Sequence, residues 1–143
     1  MPDVKEQINE VGLELTARGI SYDYIDSFER PAIAMAFGGG DYSFNNIIIT
    51  VGFDEDGESA QIVSSPIATC PGERTAKLLM TLNQCNCEFR WAKFYLDEDN
   101  DIIADTDVVF GEQDAGFSVA EAVMLAASVI DDAYPEIMKA IWG

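Results

Sequence analysis

Residues able to do chemistry concentrate in one stretch of this 143-residue chain, FYLDEDNDIIADTDVV from Phe94 to Val109. Asp97, Asp99 and Asp101 fall at alternate positions, the spacing with which an EF-hand loop presents its first calcium ligands. Such a loop also needs Gly at position 6, a bidentate Glu at position 12 and flanking helices. Counted from Asp97, those positions hold Ile102 and Val108, and both flanks alternate as strands do. The stretch is expected to be a hairpin with an acidic turn and no specific metal site. The alternative is a divalent-cation-responsive sensor that uses the acidic turns.

Other chemistry finds less support. The chain has no histidine, which removes the commonest general base and the usual catalytic triads. Carboxylates are plentiful, but acid–base catalysis needs pairs whose environments drive their pKa values apart. A carboxylate-based enzyme is therefore the weakest reading, and no catalytic residue is assigned. Gly38-Gly39-Gly40 lacks the Gly-Lys-Ser/Thr ending of a phosphate loop and leads into a strand. Cys70, Cys85 and Cys87 would need a distant carboxylate to complete a zinc site, so core packing is expected for them. No cofactor is expected.

Lys and Arg number 8 against 26 Asp and Glu, a formal net charge of -18. So negative a surface repels phosphate backbones and anionic lipid, and it attracts basic protein segments. Protein partners are expected, with neither nucleic acid nor membrane. No apolar run reaches the roughly 18–20 residues that span a bilayer. No basic-then-apolar leader is visible, and the sparse, odd cysteine set does not resemble a secreted disulfide framework. A cytoplasmic location is expected.

The elements that position these residues follow from periodicity, and residues 1–143 are expected to form a single domain. Asp3 with Glu6 forms a capping-box-like start for a helix whose Val4, Ile8, Val11 and Leu15 make one stripe, ended by Gly19. Short strands are expected at Tyr22–Asp26 and Ala32–Phe37, then a turn at the triple glycine. Asn46–Phe53 and Glu58–Pro66 pair across the Asp54–Gly57 turn. Pro71 is expected to open a second helix through Ala76, Leu79 and Leu82 to about Asn86. Strands at Arg90–Leu96 and Ile102–Phe110 flank the acidic turn, and Gly111–Phe117 is a loop. A capping box at Ser118–Glu121 opens a third helix striped by Val119, Val123, Ala126, Ile130 and Ala133, which Pro135 interrupts or follows with a last short turn. This order predicts an α+β fold of two layers, an antiparallel sheet of about five strands with three helices on one face.

Alternation sends Ala92, Phe94 and Leu96 to one face of the hairpin and Trp91, Lys93 and Tyr95 to the other. The returning strand likewise divides Ile102, Ala104, Val108 and Phe110 from Asp101, Asp105 and Asp107. If helices cover the first face, Trp91 and Tyr95 stand beside Asp105 and Asp107. Large aromatics amid charge suit protein contacts, so these four are the candidate partner-binding residues. A cross-strand pair that only stiffens the sheet reads equally well.

The helix end Leu82-Asn83-Gln84-Cys85-Asn86 and the strand Lys93-Phe94-Tyr95-Leu96-Asp97 resemble the YbjN-type domain family. So do the acidic turn, the helix from Ser118 to Ala133 and the Tyr134-Pro135-Glu136 ending. The resemblance implies a fold like that of type III secretion chaperones, often homodimeric. It also implies a protein-binding, regulatory role, since members are described as candidate bacterial sensory transduction regulators with no catalytic residues. Its specific residues lie from Ala76 to Pro135, and the triple glycine matches no motif of the family.

Overall fold

The computed structural model of the chain describes residues 3–25, 29–110 and 114–143. Helix α1 spans Val4–Ala17, where the Asp3 carboxylate accepts the Lys5 N–H and Glu6 lies in the first turn. Strands β1 (Asp23–Ile25), β2 (Ala32–Phe37), β3 (Ile47–Phe53) and β4 (Ser59–Ser64) follow. Helix α2 spans Thr75–Glu88, strands β5 and β6 span Lys93–Leu96 and Ile102–Val109, and helix α3 spans Ala115–Trp142. Of the first expected strand, Asp26 lies outside the described residues, as do residues 111–113 of the expected loop. No described helix is long and apolar enough to cross a membrane.

One antiparallel sheet holds all six described strands in the order β1-β2-β3-β4-β6-β5, one strand more than about five. The chain leaves β4 through α2, forms β5 at the edge, and returns as β6 between β5 and β4. Register fixes which residues share a face: Val51 is opposite Ile62 and Phe53 opposite Ala60, with Ile62 in turn opposite Thr106. Ile33, Met35, Ile47, Ile49, Val51, Phe53, Ile62, Phe94 and Ile102 all point to the helices and are buried in one core. From the other layer come Val11 and Leu15 of α1, Leu78 and Leu82 of α2, and the stripe Val119, Val123, Ala126, Ile130 and Ala133 of α3, as its spacing predicts.

Several boundaries differ from expectation. Pro71 does not open α2. It is extended, at φ -61 and ψ 139, and precedes a 3-10 turn at Gly72–Arg74. The buried stripe of α2 is Leu78, Leu82 and Cys85, while Ala76 and Leu79 are exposed. Adjacent leucines at 78 and 79 leave the facing ambiguous in sequence, and the longer 78–82–85 row wins the core. Ser118 is not the cap of α3: Asp114 is, its carboxylate accepting the Phe117 N–H. Both residues are cap types, and the earlier one starts the helix. Cys70 and Cys85 are buried as expected, but Cys87, two residues on and across the helix from Cys85, is exposed.

Pro135 does not end α3, which continues to Trp142. A proline has no N–H for the carbonyl four residues back, which costs a helix roughly 3 kcal/mol or more when nothing compensates. Here that carbonyl, Asp131 O, accepts the Ser43 hydroxyl at 2.8 Å, and the Asp131 carboxylate accepts the Ser43 N–H. The loop after β2 supplies Ser43. Its start needs glycine: Gly38 has φ +145, and a Cβ there would meet Asn45 O at 2.0 Å. The triple glycine thus folds the loop back so that Tyr42 and Phe44 stack towards Tyr134 and Ser43 reaches the gap in α3.

Candidate protein-binding face

The face of the sheet turned from the helices carries the hairpin's charged residues. Register sets Lys93 opposite Asp105 and Tyr95 opposite Ile103, while β4 offers Val63 opposite Asp105 and Gln61 opposite Asp107. Tyr95 is 42% exposed and Asp107 is exposed, with Asp105 half-buried between them. Alternation therefore places Tyr95, Asp105 and Asp107 together, as the sequence predicts.

Their electrostatics are uncompensated. Lys93 is opposite Asp105 in register, yet its ammonium donates to the Asn86 and Phe89 carbonyls at 2.8 and 3.0 Å, at the C-terminal end of α2. A cation is favoured there by the helix dipole. Arg30 is held by Asp54 and Gln61, and Arg18 by Glu14 and Glu121. Burial, followed by the neighbouring Asp107 charge, raises the Asp105 carboxyl above its usual range, against the lowering effect of a hydrogen bond from Gln61. Burial, then Asp105 and Asp97, likewise raises the Tyr95 phenol. Among the described residues, no ion pair reaches Asp105 or Asp107.

Trp91 stands elsewhere. Its φ is +77, so the chain turns there and β5 begins only at Lys93. Alternation cannot be counted through a left-handed residue, which is why the sequence misplaces it. Its ring lies under the Arg90 guanidinium, 4.3 Å from the ring centroid. It walls a groove of about 390 Å³ with Thr106 and Val108 of β6 and Phe117, Ala122 and Leu125 of α3. Sequence reading missed this groove, because Phe117 falls in the α3 start that was expected to be loop.

The acidic turn is a hairpin turn. Asn100 has φ +63, and one Asp97 carboxylate oxygen accepts the N–H groups of both Asp99 and Asp101 at 2.9 Å. The Asp101 carboxylate accepts the Thr69 hydroxyl at 2.6 Å. Oxygens of Asp97, Asp99 and Asp101 lie within 4.8 Å of one another. Hydrogen bonding within the turn accounts for that closeness. Ile102 and Val108, at the two positions an EF-hand needs, belong to β6 and face the core.

Three described helices laid on one face of an antiparallel sheet define the type III secretion chaperone-like fold, and comparison with solved structures bears this out. The crystal structure titled YbjN, a putative transcription regulator from E. coli, superposes with a TM-score of 0.64 at 14% identity, over 92% of this chain and 91% of that one. A chain of the heterodimeric complex ExoU–SpcU from the type III secretion system of Pseudomonas aeruginosa gives a TM-score of 0.57 at 11% identity, over 92% and 98%. The family YbjN, described as "Putative bacterial sensory transduction regulator", matches residues 10–139, and the chain belongs to it. No curated protein matches the chain.

Proposed function

We propose that this chain is a non-catalytic, cytoplasmic protein-binding module, chaperone-like or regulatory, acting as a homodimer. The observation that carries the reading is the open sheet face, where Tyr95 stands near Asp105, Asp107 follows beside Asp105, and among the described residues neither carboxylate has a cationic partner. Exposed aromatic surface next to unneutralised charge suits a partner that brings both apolar and basic groups. The family description and the protein complex among the similar structures support a binding role.

Capture from a lysate of a native host on the immobilised protein tests it. A specific partner is expected, held less well by Tyr95→Ala than by the wild type. Failure of the wild-type chain to capture any protein removes the binding reading, and equal capture by Tyr95→Ala removes this face. Light scattering tests the dimer separately, and a monomer mass at micromolar concentration rejects it.

A further inference from the structure

Strand β6 is flanked unequally. Its first half, Ile102 to Asp105, pairs with β5, and its second half, Asp105 to Val109, pairs with β4. Beyond Lys93 the β5 side is vacant among the described residues, because the chain has turned away at Trp91. Phe110 donates its N–H to Glu58 O and Ala104 donates to the Ser64 hydroxyl, so even-numbered residues of β6 point their backbone groups towards β4. Odd-numbered residues point the other way, and Lys93 pairs there with Asp105. Asp107 and Val109 thus direct their N–H and C=O groups into the vacant place, where among the described residues no backbone group meets them. Val109 is 82% exposed. The groove walled by Trp91, Phe117 and Leu125 runs beneath this edge on the helix side, and Asp107 borders it on the open side.

We propose that this half-edge of β6 takes up an extended segment of a partner protein as an added strand, one that alternates apolar and basic residues. This deepens the protein-binding reading above and rests on it. The backbone of Asp107 and Val109 supplies the ladder for such a strand. Residues opposite each other across a ladder share a face. The residue set against Val108 therefore enters the groove between Trp91 and α3 and must be apolar. The residue set against Asp107 lies on the open face beside two carboxylates, and a Lys or Arg there supplies the cation that Lys93 does not. A second copy of this chain is a poorer occupant. Two-fold pairing of β6 with itself would bring the Asp105–Asp107 pair of one copy within cross-strand or diagonal reach of the same pair in the other, and like charges so placed repel.

The test uses the full chain and fluorescently labelled nine-residue peptides in which valine alternates with lysine, with glutamate, or with lysine on an N-methylated backbone. Anisotropy should show saturable binding of the lysine peptide, with affinity lower by about tenfold or more for the glutamate and N-methylated peptides. Val109→Pro removes the outward N–H and fills the vacant place with its ring, while leaving the ladder to β4 intact, since proline is tolerated where the N–H faces outward. It should abolish binding with little change in thermal midpoint. Should that variant not fold, Asp107→Lys decides: it must weaken the lysine peptide and strengthen the glutamate peptide. Binding unaffected by N-methylation, by Val109→Pro or by Asp107→Lys overturns the proposal, as does no binding of the lysine peptide. Partner capture retained by Val109→Pro overturns edge pairing while the binding module stands, whereas no capture by the wild type removes the module itself. A dimer that dissociates with Val109→Pro assigns the edge to a second copy and also overturns the proposal.

Discussion

The two faces of the sheet are made from the same strands, and alternate residues of each strand divide between them. Towards the helices, β3 turns Ile47, Ile49, Val51 and Phe53, all buried. Away from them the same strand offers Ile48, Thr50 and Gly52, and its neighbours add Gln61, Val63, Asp105 and Asp107. One face is continuous hydrocarbon under three helices. The other is a patchwork on which two neighbouring aspartates lack a cation among the described residues. Burial explains the first arrangement completely and the second not at all, so stability and recognition are assigned to opposite sides of one sheet.

The contrast is broken most directly by truncation. Phe53 is fully buried between the layers. Phe53→Ala removes its transfer free energy and leaves a cavity, so a loss of about 3–5 kcal/mol is expected. Ile48→Ala, one face away and 41% exposed, should cost less than about 1 kcal/mol. Urea denaturation of the two variants measures both. Equal losses would mean that the open face is covered as thoroughly as the helix side.

A smaller effect probes a buried polar group on the covered face. The β4–β6 ladder stops at Val63 and Asp105, and the buried Ser64 hydroxyl accepts the next inward N–H, that of Ala104, at 2.9 Å. Ser64→Ala strands that donor away from water, at an expected cost of about 1–3 kcal/mol. Hydrogen exchange at Ala104 should accelerate by a corresponding factor. A cost near zero would show that the inner face admits water at this point, which would blur the distinction between the faces.

The covered face was the more legible in sequence, for a physical reason. Ile47, Ile49, Val51 and Phe53 repeat every second residue and Val119, Val123, Ala126, Ile130 and Ala133 keep the helical period, so burial wrote both patterns directly. Where the structure departs, a long-range contact decides. Pro135 reads as a helix breaker until Ser43, from a loop 88 residues away in sequence, takes up the Asp131 carbonyl. Leu78 and Leu79 are equivalent until α3 selects one of them. Tyr95, Asp105 and Asp107 were legible as one cluster because each lies in a regular strand. Trp91 was not, since its positive φ carries no marker in a non-glycine residue, and the vacant edge that it creates could not be read without it.

The smallest expected effect lies on the open face and concerns charge alone. Burial and then Asp107 raise the Asp105 carboxyl above its ordinary 3.8. The folded chain therefore holds this proton more tightly than the unfolded chain does. Its contribution favours folding fully below about pH 3.8 and is lost as pH rises through the higher folded-state value. At neutral pH the ionised Asp105 thus opposes folding, by less than about 1 kcal/mol because water screens a half-buried group. Asp105→Asn should be more stable than the wild type near neutral pH, and the gain should shrink towards zero as both are acidified below about pH 3.8. Denaturation midpoints at the two pH values read this directly. A gain that persists in acid would assign the effect to packing, and the open face would then lose its claim to be a site where stability is given up for charge.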